Sequence, residues 1–176
     1  MKHHLELFEQ PIPTLRAPEG RDEEGIIALV KGTSSQAIRR VHSSLVANRF
    51  SPETSVVAEL DGTLVGWALA YVLPFDPETL FIWKVEISEG AGDAGLASLM
   101  LGHLMRQDAC RGITRVQTSI RSDDEDSWSL FRRFASWQRS RMQIQPFVTQ
   151  ALFPQKRHKN ENLVTIELAA EVARAA

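Results

Sequence analysis

The chain has 176 residues, 43% of them hydrophobic, which is enough for one well-filled core and short for two, so a single domain spanning 1–176 is expected, with a loose arm at 1–12 and a tail at 169–176. Its 20 basic and 22 acidic side chains are dispersed and give a net charge of −2, which argues against a nucleic-acid or anionic-membrane partner. No apolar run approaches the ~20 residues that span a bilayer, the start MKHHLELFEQPIP has no signal-peptide core, and the single cysteine, Cys110, excludes an internal disulfide and a multi-cysteine metal site, so a cytoplasmic protein without metal is expected.

In chain order, PTLRAP at 13–18 reads as a short first strand closed by Pro18, Glu19 and Gly20. DEEGIIALV at 22–30 opens with acids and continues with apolar residues at helical spacing, a first helix. Thr33, Ser34 and Ser35 offer N-caps to a second helix over 36–48, where Ala37, Ile38, Val41, Leu45 and Val46 make one apolar stripe. Strands at 55–60 and 64–72 are joined by Asp61 and Gly62, a hairpin signal. A PFDPE loop then leads to a central strand over 80–87, and a helix carrying LASLMLGHLMRQ follows it. The remainder reads as a strand over 114–120, a helix over 126–136, and strands over 142–147 and 163–168 separated by the polar loop QKRHKNEN. The order β-α-α-β-β-β-α-β-α-β-β is α/β of the α+β kind, a mixed central sheet flanked by helices with a mostly antiparallel front half.

The densest signal lies between residues 80 and 107: the apolar run LFIWKVEI, the small-residue loop SEGAGDAG, then the helical pattern. A strand end, uncovered loop amides and the unpaired N–H groups of a helix start together form an anion cradle suited to phosphate. Gly90, Gly92 and Gly95 spell G-x-G-x-x-G, but the next strand, TRVQTSI, holds no acid to grip a ribose, and about 80 residues after Gly95 are too few for a doubly wound sheet with a substrate domain. A nicotinamide or flavin is therefore disfavoured, while an ordinary strand-to-helix turn without ligand stays open.

The element order and this cradle resemble the GNAT superfamily of acyl-CoA N-acyltransferases and, within it, the diaminobutyrate acetyltransferases of ectoine biosynthesis. The superfamily's pyrophosphate loop has the form [Q/R]-x-x-G-x-[G/A]; residues 92–97 (GDAGLA) keep the last glycine and the small terminal residue, with Gly92 in place of Gln or Arg. The narrower resemblance rests on SVVAELDGTLVG at 55–66, FDPETLFIWKVEI at 75–87, ACRGITRVQTSI at 109–120 and LFRRFA at 130–135. It implies a GNAT fold, acetyl-CoA as cosubstrate, a small-molecule amine as acceptor, with 2,4-diaminobutyrate favoured, and a homodimer. By the same resemblance, backbone amides of Gly92, Asp93, Ala94, Gly95, Leu96 and Ala97 would face the CoA pyrophosphate. Main-chain groups of Val85, Glu86 and Ile87 would pair with the pantetheine arm, one N–H polarising the thioester carbonyl, and Asp124 would lie on the far side of the cofactor.

For the amine, the resemblance points to Trp83 as a pocket wall and to the segment 35–43, where the family has acids and tyrosine and this chain has SQAIRRVHS. Gln36, Arg39 and Arg40 would then meet the acceptor and, if either arginine faces the pocket, favour one bearing an anionic group; a solvated helix face for Arg39 and Arg40 stays open. Acyl transfer needs a neutral amine, so the candidate proton acceptors are Glu86, on the thioester strand, and Glu161, which matches an acid before the family's last strand; His158, in the polar loop, is a further candidate substrate contact, and solvated loop positions stay open for both Glu161 and His158. Alternation sets Trp83, Val85 and Ile87 on one side of the strand and Lys84 and Glu86 on the other, which leaves a plain Lys84–Glu86 surface pair open. The tyrosine that protonates the thiolate in many GNAT enzymes falls at Phe131. Two alternatives remain at this point: a GNAT acetyltransferase for another small amine, and a GNAT-fold binding subunit without catalysis.

Overall fold

The computed structural model of the protein describes residues 12–29, 52–88, 91, 94–148 and 160–169; the second helix read at 36–48 lies outside them. Among the described residues there are seven strands, β1 (Thr14–Arg16), β2 (Ser55–Leu60), β3 (Thr63–Leu73), β4 (Asp76–Ile87), β5 (Arg115–Arg121), β6 (Met142–Val148) and β7 (Glu161–Glu167), and three α-helices, α1 (Glu23–Leu29), α2 (Ala94–Leu104) and α3 (Glu125–Trp137). The strands form one sheet in the order β1-β2-β3-β4-β5-β7-β6, antiparallel throughout except for the parallel pair β4–β5. No described helix is long and apolar enough to cross a membrane.

The main core lies between one face of the sheet and helices α2 and α3. Ala97, Met100, Leu101 and Leu104 recur at helical spacing on α2 and are buried with Leu130, Phe131 and Phe134 of α3 over Val56, Ala68, Leu80, Ile82, Val116 and Ile120 of the sheet. Gly66 permits the close approach of α2, because a Cβ there would stand 3.1 Å from Met100 Sδ and 3.3 Å from the Glu86 carbonyl oxygen. The opposite face carries a smaller cluster of Ile26, Val57, Trp67 and Leu69, against which Trp83 packs. Asp61 and Gly62, with φ of 50° and 77°, form the hairpin turn that their sequence announces.

Boundaries differ from the sequence reading by a residue or two at several strands and by more at three places. The first strand is only Thr14–Arg16. Of PFDPE only Pro74 and Phe75 form a turn: β4 begins at Asp76, where Arg115 of β5 bonds both Asp76 carboxylate oxygens at 2.9 and 3.0 Å and Thr79 Oγ1 at 3.0 Å. Helix α2 stops at Leu104 rather than Gln107, because the amides of Arg106 and Gln107 turn back to the carbonyls three residues earlier and tighten the chain into a 3₁₀ turn at Asp108–Cys110. Cys110 is buried, and burial pushes its thiol up to about 11, so it behaves as a small core residue.

One local irregularity organises everything that follows. Ala70 faces Ile82 across the β3–β4 ladder, but Leu69 faces Lys84, so Trp83 is an extra residue in β4, a β-bulge. Before the bulge Leu80 and Ile82 point to the main core; after it Val85 and Ile87 do. The expectation that Trp83 shares a side with Val85 and Ile87 is thereby corrected: Trp83 packs on the opposite face, beside Lys84 and Glu86.

Candidate functional site

Strands β4 and β5 pair at only three positions, Thr79 with Arg115, Leu80 with Val116 and Phe81 with Gln117. Beyond them β4 follows β3 to Ile87, β5 follows β7 to Arg121, and the two separate. Bulge and separation coincide, so the sheet splits from Ile82 onward. The split is a cleft of about 600 Å³, lined by Ile82 to Ile87 on one wall, Thr118 to Arg121 on the other, and by Ala97, Asp124, Ser127, Phe131 and Glu161 among others. Its closed end is stapled by the Arg115–Asp76–Thr79 bonds; hydrogen bonding from Thr79, followed by the Arg115 charge, holds the Asp76 carboxyl below its ordinary value.

The two mouths of the cleft have different chemistry. On the core side lie Ala97, in the first turn of α2, and the start of α3, where Asp124 caps the helix by accepting from Ser127 N at 3.1 Å and Ser127 Oγ at 2.9 Å. Phe131 closes this side, 3% exposed and without a proton to give. On the opposite side stand Trp83, Lys84 and Glu86 of β4. Because Val116 and Ile120 point to the core, Ser119 and Arg121 point away from it, and Glu161, paired with Arg121, shares their side. Two acids therefore reach one mouth from opposite walls. Lys84 Nζ meets Glu86 Oε1 at 2.7 Å and Arg121 Nε meets Asp123 Oδ1 at 3.5 Å, whereas the Glu161 carboxylate makes no ion pair among the described residues.

Of the residues singled out from sequence, the cleft gathers Trp83, Val85, Glu86, Ile87, Ala97, Asp124 and Glu161. Ala94 opens α2 and Gly95 follows it in the first turn, while the Leu96 side chain is buried in the core and only its main chain is available to a ligand. Gln36, Arg39, Arg40, Gly92, Asp93 and His158 lie outside the described residues. The sequence reading missed the β5 wall, Thr118, Ser119 and Arg121, although the alternation in RVQTSIR already placed Ser119 and Arg121 on one side. It also treated Lys84 only as a neighbour of Glu86. No cluster of three or more His, Cys, Asp or Glu able to hold a metal ion occurs among the described residues.

Residues 27–135 match the model of the acetyltransferase (GNAT) family. The chain is 30% identical over 160 residues to the L-2,4-diaminobutyric acid acetyltransferase of Nocardia farcinica, covering 91% of this chain and 82% of that one. It is 32% identical over 154 residues to the enzyme of the same name from Halomonas elongata, covering 86% and 79%. The solved diaminobutyrate acetyltransferase EctA of Paenibacillus lautus, in complex with L-2,4-diaminobutyric acid and coenzyme A, superposes with a TM-score of 0.79 at 28% identity, over 90% of this chain and 96% of that one.

Proposed function

Because the chain belongs to the acetyltransferase (GNAT) family, and to the group within it that the diaminobutyrate acetyltransferases define, we propose that it moves the acetyl group of acetyl-CoA to a primary amine of L-2,4-diaminobutyrate. The observation that carries the reading is the split between β4 and β5. A strand edge at Ile82 to Ile87 that has left its neighbour can take an extended thioester arm in place of a strand, and the start of α2 beside it suits a pyrophosphate. Val85, Glu86 and Ile87 would hold the arm by their main chain, the amides of residues 92–97 the pyrophosphate, and Asp124 the far side through its helix start. We further propose one domain, from the length and apolar content of the chain, a cytoplasmic location, from its short apolar runs and single cysteine, and a homodimer, on the strength of the family resemblance.

Each of this chain's own residues then has a task. The ammonium of the acceptor must lose a proton before its nitrogen can attack the thioester carbonyl, and Glu161, the acid at the mouth away from α2 and α3 that makes no ion pair among the described residues, accepts it directly or through water. Glu86 would have to release Lys84 to do the same. A main-chain N–H of the bulged segment polarises the carbonyl as the C–S bond breaks. Phe131 supplies no proton, so the departing thiolate takes its proton from water. CoA release measured with acetyl-CoA against a panel of amines tests the reading: turnover of diaminobutyrate is expected, a clear preference for a monoamine with an anionic end would overturn the acceptor, and CoA binding with no turnover of any amine would overturn acetyl transfer.

A further inference from the structure

We propose that the Lys84–Glu86 pair recognises the amino-acid end of the acceptor: on binding, the pair opens, Lys84 takes the carboxylate and Glu86 the adjacent ammonium. This rests on the acetyl-transfer reading and names the residues that would make that site specific for an amino acid rather than for any amine.

Three observations carry it. First, both residues line the cleft, and the bulge at Trp83 turns the side chains of Lys84 and Glu86 to the sheet face opposite α2 and α3, away from the helix start that suits pyrophosphate. They sit two residues apart on one strand, about 6.7 Å along it, so they can address neighbouring groups of one small molecule. Second, the pair is loosely held. It consists of one contact of 2.7 Å between side chains that remain 42% and 26% exposed, and Lys84 makes no other ion pair among the described residues. Such a pair is worth at most about 1 kcal/mol, so exchanging its partners for those of a ligand costs little. Third, the charges complement the acceptor. The open mouth presents the Lys84 and Arg121 cations, the latter 3.5 Å from Asp123, and the Glu86 and Glu161 anions. A diamino acid with both amines protonated carries two cations and one anion. Glu86 would hold the α-ammonium beside the carboxylate, leaving the side-chain amine to Glu161 on the opposite wall, the acid that receives the reaction's proton.

The test compares L-2,4-diaminobutyrate with 1,3-diaminopropane, the same diamine without the carboxylate, by calorimetry on the CoA-loaded protein and by steady-state kinetics, in the wild type, Lys84→Gln and Lys84→Arg. Lys84→Gln is expected to weaken diaminobutyrate at least tenfold more than diaminopropane, in Kd and in KM, with kcat changing less than KM and with Lys84→Arg restoring most of the difference. Equal losses for the two amines, or none, overturn the proposal even where acetyl transfer proceeds normally. A wild type that binds diaminobutyrate through Lys84 and acetylates neither amine supports carboxylate capture and overturns acetyl transfer instead.

Discussion

Arg16 and Lys84 are cations on the same face of one sheet, each held by acids, and their surroundings assign them opposite duties. Arg16 gives its two terminal nitrogens to Asp22 at 2.7 and 2.8 Å and to Glu59 at 2.6 Å, while its Nε reaches Glu59 at 3.1 Å. Asp22 also accepts from the Glu19 amide at 2.7 Å and is 4% exposed. All five N–H donors of Arg16 are used within the protein, the fifth on the Ala17 carbonyl, tying β1 to β2 and to the turn that starts α1. Lys84 makes one ion pair among the described residues and its side chain is 42% exposed. A saturated buried pair is scaffold, because opening it strands a charge; a singly bonded pair at the mouth of a cleft can trade its partner for a ligand.

The largest effect should come from breaking the saturated cluster. Asp22→Ala removes a buried partner of Arg16 and an acceptor for the Glu19 amide, and is expected to cost about 3 kcal/mol, read as a shift in urea midpoint with an unchanged slope. Hydrogen bonding from Arg16 holds the Asp22 carboxyl below its ordinary value of 3.8. The unfolded chain therefore takes up the proton first as pH falls. The stabilisation is complete above the ordinary value and disappears as pH drops through the folded one. Between about pH 6 and about pH 3 the wild type should lose more stability than Asp22→Ala does; parallel losses would show that Asp22 is not scaffold of this kind.

A smaller but chemically sharper effect is expected at Glu161. Its carboxylate makes no ion pair among the described residues, so Glu161→Gln should leave the melting temperature nearly unchanged while kcat falls about a hundredfold, close to 2.7 kcal/mol of transition-state stabilisation. Glu86→Gln, by contrast, should act mainly on KM for the acceptor. Equal kcat losses in the two variants would make the acids a coupled pair and erase the division of roles drawn from their different partners.

Much of the architecture was legible because periodicity reports burial directly. The α2 stripe, the Asp61–Gly62 turn and the strand order of the front half follow from spacing alone, and the pairing of a glycine-bearing loop with a helix start marked one side of the cleft. The bulge was not legible. An extra residue in a strand changes no composition and breaks no propensity rule; it shows only as the Leu69–Lys84 register, set by how β3 and β4 pack between two clusters. Strict alternation past the bulge therefore grouped Trp83 with Val85 and Ile87, which point to the other face. Glu161 was found through resemblance rather than pattern, since an acid at a loop-to-strand boundary has no periodic signature, and Arg121 was missed because its role depends on which strands separate.

The smallest effect should fall on a third pair that has the same bond length and neither of the other surroundings. Arg111 Nη2 meets Asp108 Oδ1 at 2.8 Å, as short as the Arg16 and Lys84 contacts, but its side chains are 65% and 86% exposed and they lie outside the cleft. High dielectric and mobile side chains reduce such a pair to a few tenths of a kcal/mol. Arg111→Ala is therefore expected to change stability by less than about 0.5 kcal/mol, and to leave KM for both substrates where it was. A loss above about 1 kcal/mol in the same urea experiment used for Asp22 would mean that bond length rather than surroundings sets the worth of a charge pair in this protein, and the distinction between the Arg16 cluster and the Lys84 pair would fall with it.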